Sequence, residues 1–302
     1  MLTRSRQQPA VVPAAHRMRP VIASPVRRPA ERVDTLTITW IGHSSFLIQC
    51  RGLNILTDPI WSDRASPVSF AGPRRLVPPF LRLEDLPPID VTLISHDHYD
   101  HLDDPTIGRL IGRFPAMCWL APLRVGGFLE RRGAANVKEL DWWQEHETAG
   151  IIIGCTPAQH FSGRYPWNRN STLWCGWTLS FGRPRVFFAG DTALHPEFGA
   201  IAERFGPFDM AILPIGAYEP RWFMRQVHMN PTDSIAAFQQ LTAVHPDHPC
   251  IMVGSHWGTF RLTDEPVMEP PILAREIWSR ASLSPNLLWI LAHGETREVP
   301  AL

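Results

Sequence analysis

The clearest pattern along the chain is a series of short apolar runs, each too brief for a helix and each closed by turn residues or by a side chain able to bind metal. Residues 36–58 contain three such runs, ThrIleThrTrpIle, SerPheLeuIleGln and LeuAsnIleLeuThr, separated by a GlyHis turn and an ArgGly turn, which predicts an antiparallel meander. Residues 59–90 carry Pro67, Pro73, Pro78, Pro79, Pro87 and Pro88, too punctuated for regular structure, and read as a long functional loop. From residue 91 the arrangement changes. ValThrLeuIleSer runs into His96, IleIleIleGlyCysThrProAlaGln into His160, ArgValPhePheAlaGly into Asp191 and CysIleMetValGlySer into His256. Helices are predicted between these strands at 103–114, 122–132, 195–205, 231–243 and 271–281, the fourth opened by AsnProThrAsp. The alternation implies an α/β fold of sheets with helices packed outside, and the order of elements suggests two related halves. Loops at the strand ends then converge on one site.

Composition narrows the class. With 302 residues, 44% hydrophobic and 19% charged, the chain is globular and long enough for one large domain. Equal totals of 29 basic and 29 acidic residues leave no global field for nucleic acid, and none is expected as a partner. The balance is uneven, because seven Arg and one Glu fall within residues 1–32. Residues 1–33 read as a disordered Arg/Pro-rich arm, with anionic lipid as its sharper use, and residues 34–302 as the domain. No run approaches the length of a spanning helix, and no apolar h-region follows the N-terminal charges. Five scattered cysteines without a C-x-x-C pair fit buried thiols in a reducing, cytoplasmic compartment, with peripheral contact at the inner face of a membrane. Assembly as a homodimer stays open.

The strongest local signal is HisAspHisTyrAspHis at 96–101. Four imidazole and carboxylate ligands in six residues are tolerable when metal charge offsets their crowding, and one ion could hardly use all four. Two ions are therefore expected. His160 completes a set with His96 and His98, His256 joins Asp100 and His101, and Asp191 is the natural bridge, one oxygen to each ion. Asp58 is a candidate acceptor for the free N–H of His101, and His43 a candidate outer-shell group. Tyr99 and Tyr218 read either as packing aromatics or as phenols near the site, and Trp222 and Phe223 as core and rim. The apolar and basic 66–82 segment, with Phe70, Arg74, Arg75 and Phe80, is the candidate for substrate or membrane contact together with Tyr218, and 161–167 a second wall.

The H-x-H-x-D-H motif with single His, Asp and His at later strand ends resembles the metallo-β-lactamase superfamily, which implies an αββα sandwich. GluLeuAspTrpTrp at 139–143, PhePheAlaGlyAspThr at 187–192, ProIleGlyAlaTyrGluProArgTrpPheMet at 214–224 and HisTrpGlyThrPhe at 256–260 are similar to its N-acylphosphatidylethanolamine-hydrolysing phospholipase D branch, over roughly residues 36–297. The resemblance implies a phosphodiesterase with two zinc ions that releases N-acylethanolamine and phosphatidic acid by means of a hydroxide bridging the metals. It also implies that His228, Asp100 and Asp191 are catalytic, His228 touching the substrate phosphate or the leaving alkoxide. Two other readings remain open on the sequence: a lactonase acting on sugar phosphates or acyl lactones, and a membrane-associated stress-response binding protein with a structural metal site.

Overall fold

The computed structural model describes residues 20, 22–23 and 28–300. Two seven-stranded mixed sheets face one another, with helices on the outer faces. The first half of the chain supplies β1 (Thr37–Gly42), β2 (Ser45–Cys50), β3 (Leu53–Thr57), β4 (Val91–Leu93), β5 (Cys118–Pro122) and β6 (Val137–Leu140), with α1 (Asp104–Arg113) and α2 (Gly126–Arg131) between them. The second half supplies β7 (Glu145–Thr148), β8 (Ile151–Thr156), β9 (Gly176–Ser180), β10 (Arg185–Phe188), β11 (Met210–Pro214), β12 (Ile251–Ser255) and β13 (Leu288–Trp289). Its helices are α3 (Phe198–Phe205), α4 (Arg221–Met224), α5 (Pro231–Ala243) and α6 (Glu269–Arg280), and β14 (Thr296–Glu298) returns to the edge of the first sheet beside β1.

Each sheet begins as an antiparallel meander and continues with parallel strands. That shared pattern is the structural form of the two related halves. Alternation within β2 explains the layering, since Phe46 and Ile48 point between the sheets while Leu47 points to the layer of α1 and α2. The inner core joins Trp40, Phe46 and Ile48 to Trp177, Leu179 and Phe188 of the second sheet. Parallel strands place their carboxyl ends at one edge of the sandwich, and each of the four ligand-bearing segments leaves a strand there.

Helix prediction succeeds best where capping is explicit. Asn230 accepts a bond from the Asp233 backbone N–H, Asp233 reciprocates, and α5 runs over the expected 231–243. Of the expected arm, residues 1–19, 21 and 24–27 lie outside the described residues. The described remainder is not a solvated tail: the Arg32 guanidinium donates to Gly52 O and pairs with Asp90, and Gln49 Nε2 and Asn54 Nδ2 donate to the carbonyls of Ala30 and Glu31. Segment 28–33 therefore packs on the domain, because buried amides on β2 and β3 need its carbonyls. No described helix is long and apolar enough to cross a membrane.

Candidate metal centre

The strand-end residues meet in one buried cluster. His96 Nε2 lies 2.8 Å from His98 Nδ1, and His160 Nε2 lies 3.2 Å from that same atom. Their other contacts fix the tautomers. Ser95 Oγ donates to Asp58 at 2.6 Å, so at 2.9 Å it accepts from His96 Nδ1–H, while His160 Nδ1–H donates to Val227 O at 2.8 Å. The Nε2 lone pairs of His96 and His160 thus face His98 Nδ1. Burial, reinforced by neighbouring imidazoles, pushes His98 down to about 3 and His96 well below the ordinary histidine range. Burial lowers His160 as well. With all three imidazoles neutral, at most one proton, on His98 Nδ1, faces the two Nε2 lone pairs, so at least one lone pair is left over, and that donor set fits a cation.

The second set is different in kind. Asp191 Oδ2 stands 3.1 Å from His101 Nε2 and 3.0 Å from His256 Nε2, and 4.0 and 3.9 Å from the Nε2 atoms of His96 and His160. One carboxylate oxygen therefore faces both sets, in place of the one-oxygen-each bridge the sequence suggested, and Asp191 Oδ1 is buried with no partner. Asp100 Oδ2 lies 3.4 Å from His101 Nε2 and 3.5 Å from His256 Nε2. Burial would raise both carboxyls, but the surrounding imidazoles, His101 foremost with His256 and, at Asp100, His43, together outweigh it and hold Asp100 and Asp191 well below the usual carboxylate range. Burial likewise works to lower His101 and His256, yet Asp191 and its companions lift His101 well above its ordinary value and His256 to about 9.

Outer contacts hold these side chains in place. His101 Nδ1–H donates to Asp58 Oδ2 at 2.7 Å, and His43 Nε2–H donates to Asp100 Oδ2 at 2.9 Å. His43 sits at φ 58°, its backbone N–H bonded to Thr259 Oγ1, which in turn meets His293 Nε2. His228 follows α4 and lies in the cluster, its ring 4.9 Å from His160 and 5.3 Å from His256, with Nδ1 buried and unpartnered. Desolvation keeps this imidazole neutral.

Several expected contacts are corrected. Tyr218 is buried and its hydroxyl donates to Glu269, so it is not an exposed contact residue. Arg75 spends its guanidinium on the carbonyls of Ile60 and Ser62 and lies over the Phe260 ring, so it braces the loop. Phe80 is half-buried, and Val77 and Leu81 are core, so the 66–82 segment presents Val68, Phe70 and Leu76 with Arg74 and Arg82. Trp222 and Phe223, expected as core and rim, are 80% and 62% exposed. Tyr99 points out of the cluster and donates to Arg164 O. Sequence reading missed Ser95 and the Val227 carbonyl. Ser95 carried a usable signal, a hydroxyl adjacent to a strand-end ligand, whereas a backbone acceptor carries none.

Residues 53–257 match a family model described as the β-lactamase superfamily domain. The chain belongs to that superfamily. An N-acyl-phosphatidylethanolamine-hydrolysing phospholipase D of Caenorhabditis elegans is 40% identical over 80% of this chain and 69% of its own length. The mitochondrial enzyme of the same name from Saccharomyces cerevisiae is 35% identical over 77% of this chain, which spans about half (49%) of that relative. A solved metallo hydrolase from Ignicoccus hospitalis superposes with a TM-score of 0.64 at 23% identity, covering 87% of this chain and 97% of its own, a likeness of fold. The chain is a metal-dependent hydrolase of the metallo-β-lactamase fold, in the branch of these phospholipases D.

Proposed function

We propose that the protein is a phospholipase D-type phosphodiesterase that converts N-acylphosphatidylethanolamine and water into N-acylethanolamine and phosphatidic acid, with a pair of zinc ions as cofactor. The observation that carries this reading is the single Asp191 oxygen standing between a three-imidazole set and the Asp100–His101–His256 set. It is supported by the lipid-hydrolysing activity in the names of the nematode and yeast relatives. His96, His98 and His160 would hold one ion, Asp100, His101 and His256 the other, with Asp191 shared. Such a pair supplies Lewis-acid polarisation of phosphoryl oxygens and makes a nucleophile of water near neutral pH.

The chain's own groups supply the rest. His228, neutral and beside both sets, donates its N–H to a non-bridging phosphate oxygen or to the departing alkoxide, steadying charge as the P–O bond breaks. Phe161 packs 4.5 Å from His98 and 4.8 Å from His160 and begins a segment whose Trp167 is 81% exposed. Phe70, Trp167, Trp222 and Phe223 are exposed apolar side chains, and Arg74, Arg169 and Arg225 are exposed as well, a combination that would suit the headgroup boundary of a membrane and peripheral attachment there. The test is release of N-acylethanolamine from N-acylphosphatidylethanolamine vesicles by protein of measured metal content. His228→Ala should keep both ions and lose on the order of a hundredfold in turnover. Full turnover in that variant, or lactone hydrolysis in place of lipid hydrolysis, overturns the reading.

A further inference from the structure

Two cavities, of about 570 and 600 Å³, do not open on the metal ligands. They are lined by Asp97, Tyr99 and Leu102, residues of the 96–102 turn that are not among those ligands. The first, of about 570 Å³, has Arg124, Arg131, Arg132 and Arg164 in its wall against one carboxylate, Asp97. In a chain with equal basic and acidic totals this is a strong local excess of positive charge. The excess is not neutralised within the protein: Arg132 pairs with Asp104, but the guanidinium groups of Arg124 and Arg131 have no hydrogen bond or ion pair among the described residues. Asp97 is engaged too, its Oδ1 accepting from Gly163 N–H at 2.7 Å.

Arg164 is the fixed point of the site. Its Nη1 donates to the carbonyls of Asp97 at 2.9 Å and Leu102 at 2.7 Å, and its guanidinium lies 4.1 Å from the Tyr99 ring centroid and 4.9 Å from that of Phe128. The planar group is thus held by two rings and two carbonyls. Thr172 in the same wall has a buried hydroxyl without a partner. Four arginines lining one space of this size, with the rings of Phe128 and Tyr165 in the same wall, suit a phosphate carrying a small organic body.

We propose that this cavity binds a phosphomonoester, separately from the metal centre, with Arg124, Arg131 and Arg164 as its cationic contacts. The group comes from a soluble metabolite or from a lipid headgroup. Because Arg164 is tied to both ends of the turn that carries His98, Asp100 and His101, an occupied site steadies that turn.

The experiment compares the metal-loaded wild type with Arg124→Gln/Arg131→Gln, two exposed positions whose loss costs no contact of the fold. The probes are glycerol 3-phosphate and phosphatidylcholine vesicles with or without phosphatidic acid. Both proteins should carry the same metal and hydrolyse a soluble phosphodiester equally without added anion. The double variant should bind at least one probe about tenfold or more weakly. Loss confined to glycerol 3-phosphate identifies a soluble ligand, and loss confined to phosphatidic acid vesicles a headgroup. Phosphate binding at the metal ions would be equal in the two proteins, so equal affinities for both probes, or no binding by the wild type, overturn the proposal. Neither result depends on whether N-acylphosphatidylethanolamine is the substrate.

Discussion

The two halves of the metal centre solve the same packing problem by opposite means. On the side of His96, His98 and His160, three neutral imidazoles face one another and nothing but a cation completes them. On the side of Asp100, His101 and His256, two carboxylate oxygens stand 3.0–3.5 Å from the two Nε2 atoms and favour the charged form of both imidazoles. The first set depends on metal for its purpose, and the second also serves as a buried ion-pair network. Removing a residue should therefore cost differently on the two sides.

The largest effect belongs to the atom both sides share. If the proposed pair of ions is held there, Asp191→Asn should reduce bound metal at both positions and lower hydrolysis by on the order of a thousandfold, read by elemental analysis beside turnover. Retention of two ions with near-normal turnover would show that the two sets do not share Asp191. Next, in chelator-treated protein, His256→Ala should destabilise by about 3–5 kcal/mol, since it leaves the buried Asp100 and Asp191 carboxylates to share His101, whereas His98→Ala should cost little. Urea unfolding in the absence of metal measures both, and equal losses would show that the two sets are alike.

A lone imidazole outside both sets gives the reference. Burial alone lowers His195 to about 4, and its ring stacks on Phe198 with no carboxylate partner. Between that value and the unfolded value near 6.5 the unfolded chain binds the extra proton, so stability is present above that window and is lost as pH falls through it. The loss amounts to about 3 kcal/mol at its limit. His195→Phe should flatten this acid limb, and an unchanged limb would refute the assignment. The smallest effect is expected at Asp58→Asn, which keeps shape but weakens the hold on His101 and should cost about 10–100-fold in metal affinity with the fold intact.

What the sequence made legible follows physical signals that are local. An apolar run stopped by His or Asp is both a buried strand and a candidate ligand at its end, so the sequence alone groups His96, His160, Asp191 and His256. Asn230 and Asp233 announced α5 through a reciprocal cap. Strands β6 and β7 escaped because they are sheet edges with polar, exposed faces, ValLysGluLeu and GluHisGluThr, lacking an apolar run. Arg75, Tyr218, Trp222 and Phe223 were misjudged because exposure is set by distant packing, and the sequence around an aromatic or an arginine does not reveal which way it faces. The phosphate cavity escaped for a related reason: its arginines come from α2, the turn before it and the 161–172 segment, and become neighbours through the fold alone.

The last described stretch of the chain crosses between the sheets, leaving β13 on one and entering β14 on the other, with His293 between them touching Thr259 and, through it, the His43 backbone. Cutting the chain before residue 288 would unlace the sandwich at that seam and slacken the support of His43, whose ring steadies Asp100. A tail far from the ligands in sequence is in this way a tensioning cord for the centre it never touches.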